Sequence, residues 1–374
     1  MAKLHRRAVL GLAAGFFAQP LWNEPAVSGA QSEPPTDGPL TVEAVGALLL
    51  QHKVPGASLA IIQDGELAAT YGYGFAQGQR GVAPETRFQA ASISKTVNAL
   101  GVLKLVQAGR IGLDDPVNKH LKSWKLPDNE LTATSAVTVR MLLNHTGGTN
   151  VHGFAGYARG ANLPSLREIL DGHKPANTPA IRVVSPPGEA HRYSGGGTTV
   201  LQQMLIDVTS EPYAPALARM VLGPLGMSES SFQQPPDAGT VDQAAFGHAA
   251  DSSALPGGFN IHPEMAAAGL WTTPRDLCKA LFAIMGSHAG QAGSFLDQGM
   301  AQAMLTRGSG QAGLGTFVND RGGFSHAGSN HGFRALYVAD PNRRSGIVVM
   351  TNGNNGDAVC SGLLQRAAQV YRRN

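Results

Sequence analysis

Cysteine is scarce in this chain: 374 residues contain two, Cys278 and Cys360. So few exclude a disulfide framework and a cysteine-rich metal centre. Both lie in apolar, helix-like stretches, "RDLCKALFAIM" and "DAVCSGLLQRAAQV", which predict buried thiols and leave a bridge between them open in an oxidising compartment. Charge is sparse as well, at 15% of residues with a formal net charge of +3. Part of that excess is the N-terminal cluster Lys3, Arg6 and Arg7. No basic stripe remains, which excludes nucleic acid as a partner. The apolar run near the N-terminus, Ala8 to Ala18, is too short to span a bilayer. The P-loop pattern is absent, and no dinucleotide fingerprint follows a strand. Repeats and low-complexity blocks are missing too.

What is present is ordinary globular composition, 43% hydrophobic, in a length that suits one large domain or two intimate ones. Forty-seven glycines predict many tight turns and close backbone approaches. Residues 1–30 read as a signal peptide: a basic start, a short apolar run, then Ser28 and Ala30 at a cleavage site. The competing reading is a short amphipathic helix; the Arg6-Arg7 pair hints at twin-arginine export. Export to the periplasm or medium of a bacterium follows, with no stable membrane anchor after cleavage. Residues 31–40, with "QSEPPTDGP", read as a linker.

The fold expectation is α+β over residues 41–374. Thr41 caps a helix running to His52, and two β-rich runs meet at Asp64-Gly65, a hairpin turn. A helical and loop-rich middle follows, about 91–304. Strand signals return in "HGFRALYVADPNRRSGIVVMTNG", and a last helix spans Asp357 to Arg372. An antiparallel sheet built from both chain ends, about 41–90 and 305–374, with a helical insertion accounts for this order.

Three stretches carry candidate chemistry. In "FQAASISKTVNAL" the apolar positions Ile93, Val97, Leu100, Leu103 and Val106 recur at helical spacing. Ser92 falls in the first turn and Lys95 lies beside it on the helix's wet edge. A lysine can activate a serine hydroxyl when its environment favours proton release; a capping serine and a solvated lysine explain the same letters. In "HRYSGGGTTVLQQML" a helix is expected from Thr198. Its glycines either cradle phosphate or let the backbone approach another element, placing Tyr193 to relay a proton. In "GGFSHAGSNHGF", Ser325 nearly matches a nucleophile elbow, but a strand follows where an elbow needs a helix. His326 and His331 read as loop histidines rather than metal ligands, having no carboxylate neighbour.

In this order the stretches resemble the serine β-lactamase and penicillin-binding-protein family, most closely its class C branch with the related peptidases and esterases. "SISK" resembles the family's Ser-x-x-Lys, "YSG" its Tyr-x-Asn, and "HAG" stands where Lys-Thr-Gly is usual. "RIGLDDPVNKHL", "VTVRMLLNHTGG", "VLGPLGMSES" and "GLWTTPRDLCK" agree. The resemblance implies the same sheet with its terminal helices and insertion. It implies Ser92 as acylated nucleophile, Lys95 and Tyr193 sharing general base and acid duties, and His326, Gly328 and Ser329 as the third motif. The backbone amides of Ser92 and Ser329 would form the oxyanion hole. Two departures bear on substrate: Gly195 replaces an amide that grips an acylamino group, and His326-Ala327 replaces a permanent cation and a hydroxyl. Arg334 is a candidate to restore that charge.

The sequence therefore predicts an exported serine hydrolase without metal or cofactor. It would act through an acyl-enzyme on a small ester, amide or D-amino-acid wall peptide. The rival readings are a β-lactamase or penicillin-binding DD-carboxypeptidase and, from another class, a non-catalytic cell-wall peptide binder. Oligomeric state is left open.

Overall fold

The computed structural model describes residues 32–371, so the expected leader lies outside the described residues. A seven-stranded antiparallel sheet runs Arg80–Gly81, Glu66–Gln77, Gly56–Gln63, Ser345–Thr351, Phe333–Asp340, Phe324–Asn330 and Phe317–Val318. Strands from the two ends of the chain meet at its centre, where Ala57 to Ile62 pair with Gly346 to Thr351. The α+β expectation is met: an antiparallel sheet from both ends, terminal helices against it, and helices between.

Helices cover both faces of the sheet, so its inner strands Gly56–Gln63 and Ser345–Thr351 are buried nearly throughout. Ala57, Leu59 and Ile61 face the terminal helices Val42–His52 and Gly356–Tyr371, while Ala60 and Ile62 face the helical insertion. Ile347 and Val349 against Val348 and Met350 repeat the alternation. Thr41 caps the first helix, its Oγ1 accepting from Ala44 N at 3.1 Å. Asp64 and Gly65 both adopt positive φ, 54° and 83°, as a two-residue hairpin turn matched to strand twist requires. Cys278 and Cys360 are buried free thiols on separate helices, Pro274–His288 and Gly356–Tyr371.

Three expectations are corrected. The helix expected from Thr198 begins at Gly195, one residue after its cap Ser194. The stretch holding His326 is a strand, Phe324–Asn330, not a loop. Lys95 is not on a wet edge: it is 3% exposed, because the helical insertion closes over that side of the Ser94–Gln107 helix.

Candidate active site

Ser92 sits in a short 3-10 turn, Ala91–Ile93, that leads into the Ser94–Gln107 helix. The turn is anchored on both sides. Ala90 N donates to Leu270 O at 2.9 Å, and Leu270 N donates to Ser94 Oγ at 3.0 Å. Ala91, immediately before the serine, is held at φ 48°. That is an unfavourable region for a residue with a Cβ, costing roughly 1–2 kcal/mol, and such strain persists only where the surroundings over-determine it.

Lys95 Nζ donates to Ser92 Oγ at 3.0 Å and to Ala267 O at 2.7 Å. Its nitrogen also stands 5.1 Å from the centroid of the Tyr193 ring. The buried Lys95 is therefore in direct contact with the half-buried Ser92 rather than solvated beside it, and Tyr193 joins the pair from a distant segment.

The glycine run explains how Tyr193 gets there. Added Cβ atoms would stand 2.9 Å from the Phe154 ring at Gly195, 2.7 Å from Asn150 O at Gly196 and 2.7 Å from Thr149 Oγ1 at Gly197. Only glycines admit the Thr149–Phe154 loop this close. That loop takes up the donors at the helix start: Gly195 N donates to His152 O and Gly196 N to Val151 O, both at 3.0 Å. Gly197 N donates to Ser194 Oγ at 2.9 Å, and that hydroxyl donates to Asn150 O at 2.6 Å. With these amides occupied by the chain itself, the phosphate-cradle reading fails. Close approach, the other reading, is what the structure shows.

The Tyr193 ring lies among histidines: His145 at 4.4 Å, His152 at 4.9 Å and His326 at 6.3 Å between ring centroids, with Phe317 near-parallel at 6.3 Å. Hydrogen bonds fix two tautomers. Ser194 N donates to His145 Nδ1 at 3.3 Å, so a neutral His145 carries its proton on Nε2. His326 Nδ1 donates to Ala327 O at 2.7 Å, which leaves its buried Nε2 as a lone pair with no partner among the described residues. Burial, reinforced by the Lys95 charge, holds His145 well below the usual histidine range and His326 down to about 3. Neither ring is a cation near neutral pH.

The third stretch passes directly beside the serine turn. An added Cβ on Gly328 would stand 2.2 Å from Ala90 O, so the strand and the turn are in backbone contact there, with Ser329 next along the strand. The neighbouring strand covers only Phe324 and Ser325, leaving the edge from His326 onward without a strand partner. Ser325 lies one position from the buried His326 and so faces the other side of the sheet, within a strand rather than at a strand–turn–helix elbow. His331 is exposed in the turn after that strand, apart from His326. Arg334 does not replace the missing cation: it pairs with Asp357 at 3.0 Å on the face covered by the last helix.

His145, His152 and Phe317 are not legible in the sequence as site residues. His145 stands in "MLLNHTGG" and adopts φ 61°, and the paired glycines after it were the only local sign of unusual backbone.

A serine contacting a buried lysine at the rim of a two-ended antiparallel sheet, with a tyrosine brought in by a second segment, defines a protein of the β-lactamase and transpeptidase fold. The chain belongs to the Beta-lactamase family, which it matches over residues 37–370. A curated relative, Protein flp of Staphylococcus aureus strain N315, is 26% identical over 330 residues, 82% of this chain and 61% of that protein. The chain thus spans about three fifths of that relative's length. Among solved structures, the D-amino acid amidase from Ochrobactrum anthropi SV3, complexed with D-phenylalanine, superposes with a TM-score of 0.71. It is 23% identical, over 89% of this chain and 98% of that one. EstCE1, described as a hydrolase with promiscuous acyltransferase activity, gives a TM-score of 0.71 at 21% identity, over 88% and 97%. At these identities the two structures establish the shared fold.

Proposed function

We propose that this chain is an exported serine hydrolase that forms an acyl-enzyme on Ser92 from an ester or a D-amino-acid amide or peptide. The observation that carries the reading is the contact of the buried Lys95, through Nζ, with Ser92 Oγ at 3.0 Å, with the Tyr193 ring 5.1 Å from the same nitrogen. In the first half-reaction Ser92 Oγ bonds to the substrate carbonyl carbon. Its proton passes through Lys95 and Tyr193 to the leaving group as the carbonyl–leaving-group bond breaks. In the second, water attacks the acyl carbon, a proton from that water passes through the same relay to Ser92 Oγ, and the acyl–Oγ bond breaks to release the acid. The amides of Ser92 and Ser329 are the proposed donors to the oxyanion, each of the kind worth about 3–4 kcal/mol to the transition state.

The same geometry favours esters and amides over β-lactams. His326 is neutral where a third-motif cation would grip a carboxylate, and Gly195 offers no side-chain amide. A D-amino acid amidase and a hydrolase with promiscuous acyltransferase activity among the structural neighbours are in keeping with acyl transfer from such substrates. Export rests on the leader-like residues 1–30; among the described residues no helix is long and apolar enough to cross a membrane. A panel of p-nitrophenyl esters, D-amino-acid amides, D-Ala-D-Ala peptides and nitrocefin tests the reading. Turnover of an ester or amide that disappears in Ser92→Ala is expected. Turnover that survives Ser92→Ala contradicts the mechanism, and nitrocefin as the best substrate contradicts the specificity. A mature N-terminus near Gln31 on protein recovered outside the cytoplasm is the matching result for export.

A further inference from the structure

The carbonyl that accepts from Lys95 belongs to a turn that cannot hold its own position. Ala267 lies in a four-residue helix, Met265–Ala268, whose N-cap Glu264 makes no side-chain capping bond. A helix this short is marginal by itself, so its neighbours must fix where its carbonyls point. Gln202 supplies the missing cap. Its Oε1 accepts from Ala266 N at 2.9 Å, one of the amides an N-cap side chain ordinarily serves. Its Nε2 donates to Pro263 O at 3.0 Å. Both polar atoms of a fully buried side chain are spent on this one turn.

Gln202 stands on the Gly195–Thr209 helix, which starts two residues after Tyr193. Its amide therefore ties the segment carrying Tyr193 to the carbonyl that holds Lys95 Nζ at 2.7 Å. The same turn reaches the rest of the centre. Ala268 O accepts from Asn330 Nδ2 at 3.1 Å, at the end of the strand bearing His326. Leu270, just beyond, bonds to Ala90 and Ser94 on either side of Ser92. A second glutamine spans the outer ends of the segment: Gln234 accepts from His262 N at 3.3 Å and donates to Gly269 O at 2.7 Å. Residues 262–270 thus form a spacer in contact with the elements that carry Ser92, Lys95, Tyr193 and His326.

We propose that Gln202 is a positioning residue for acyl transfer. By capping the Met265–Ala268 turn from the Tyr193 helix, it fixes the Ala267 carbonyl and so the aim of Lys95 Nζ at Ser92 Oγ beside Tyr193. This rests on the proposed relay through Lys95 and Tyr193. A lysine amine on a flexible four-carbon stem has rotatable donors and no preferred direction of its own; a fixed carbonyl gives it one. Without the Gln202 amide, Pro263 O and Ala266 N lose their buried partners, and the turn must shift to find others.

The test is a double-variant cycle on the full chain, read as kcat and KM for p-nitrophenyl acetate. Gln202→Met keeps the length of the side chain and removes both hydrogen bonds. It should lower kcat on the order of 10²-fold, the usual cost of a misplacement of about 1 Å, with KM little changed. In a Tyr193→Phe background the same substitution should cost little more, because it acts through a relay already broken. Gln203→Met is the structural control. Gln203 is also buried on that helix, but its amide donates to Ser123 Oγ at 2.7 Å and Asp207 Oδ1 at 3.1 Å, outside the centre. Both methionine variants should melt earlier than wild type, and only Gln202→Met should lose kcat. Should Gln202→Met fail to fold, Gln202→Asn carries the same expectations, since it keeps the amide but is one methylene short of spanning both partners. A folded Gln202 variant with wild-type kcat, an equal kcat loss in Gln203→Met, or a Gln202 effect that persists in full beside Tyr193→Phe would overturn the proposal. Failure of the hydrolase reading shows separately, as no turnover by the unsubstituted chain, and would take the proposal with it.

Discussion

Replacing Gly328 by alanine tests whether the approach of strand and serine turn sets the reaction geometry. The new Cβ would stand 2.2 Å from Ala90 O, whereas ordinary contact begins at 3.4 Å, a deficit of 3.4 − 2.2 = 1.2 Å. Neither partner yields easily. Ala90 is tied to Leu270 O at 2.9 Å and precedes the strained Ala91, and the strand is paired along its length with Phe333–Asp340. The strand and the Ser92 turn must therefore part by about 1 Å. Overpacking of this kind costs roughly 1–3 kcal/mol of stability. A misplacement of about 1 Å in an active centre costs on the order of 10²-fold in rate. The assay is kcat on an ester substrate alongside the melting temperature, with Gly362→Ala as the control. There the added Cβ meets only the Leu48 side chain, at 3.0 Å or more, on the far side of the sheet. Gly328→Ala should lose about two orders of magnitude in kcat and several degrees in Tm, with Gly362→Ala near wild type in rate. A folded Gly328→Ala protein with wild-type kcat would refute the reasoning.

Tyr193→Phe should lower kcat roughly 10²–10⁴-fold, the usual share of general acid–base catalysis, with KM and Tm little changed. Lys95→Ala should be similarly severe, and the double variant little worse than either single, since parts of one relay fail together; fully multiplicative losses would mean independent roles. Burial raises Glu264 to about 7 from an ordinary value of 4.5, so the folded chain keeps a proton that the unfolded chain has released. Its stabilising contribution is complete below about pH 4.5 and is lost as pH rises through about 7, on the order of 3 kcal/mol in all. Urea melts of Glu264→Gln at pH 5 and pH 8 should show a smaller alkaline loss than wild type; equal slopes would count against it. His262, held down to about 4 by burial, has the opposite sign: its contribution is present above about pH 6.5 and is lost as pH falls through about 4. His262→Gln should correspondingly soften the acid-side loss of Tm.

The elements legible in the sequence are those set by local chemistry. Thr41 announces its helix because its hydroxyl can cap an amide three residues on, and Asp64-Gly65 announces its turn because both positions need positive φ. Ser92 and Lys95 were legible because a single helical turn brings them together. The helix start at Gly195 was missed because glycines disfavour helix locally, whereas here the Thr149–Phe154 loop imposes it by accepting the first amides. The His326 strand was missed for a like reason: "HAGSN" has little strand propensity, and its pairing with Phe333–Asp340 is a long-wavelength pattern of the sheet rather than of the segment. The burial of Lys95 depends on Ala267, 172 residues away, and the histidines around Tyr193 come from separate loops. No spacing rule connects residues that only tertiary packing assembles.

The central claim is that Ser92 is the nucleophile and Lys95 its activator. A fluorophosphonate bonded covalently to the protein, followed by mass spectrometry of the digested adduct, tests it most directly. The account predicts the adduct on Ser92, formed far more slowly in Lys95→Ala. An adduct on Ser325, or labelling of Ser92 at an undiminished rate without Lys95, would contradict it.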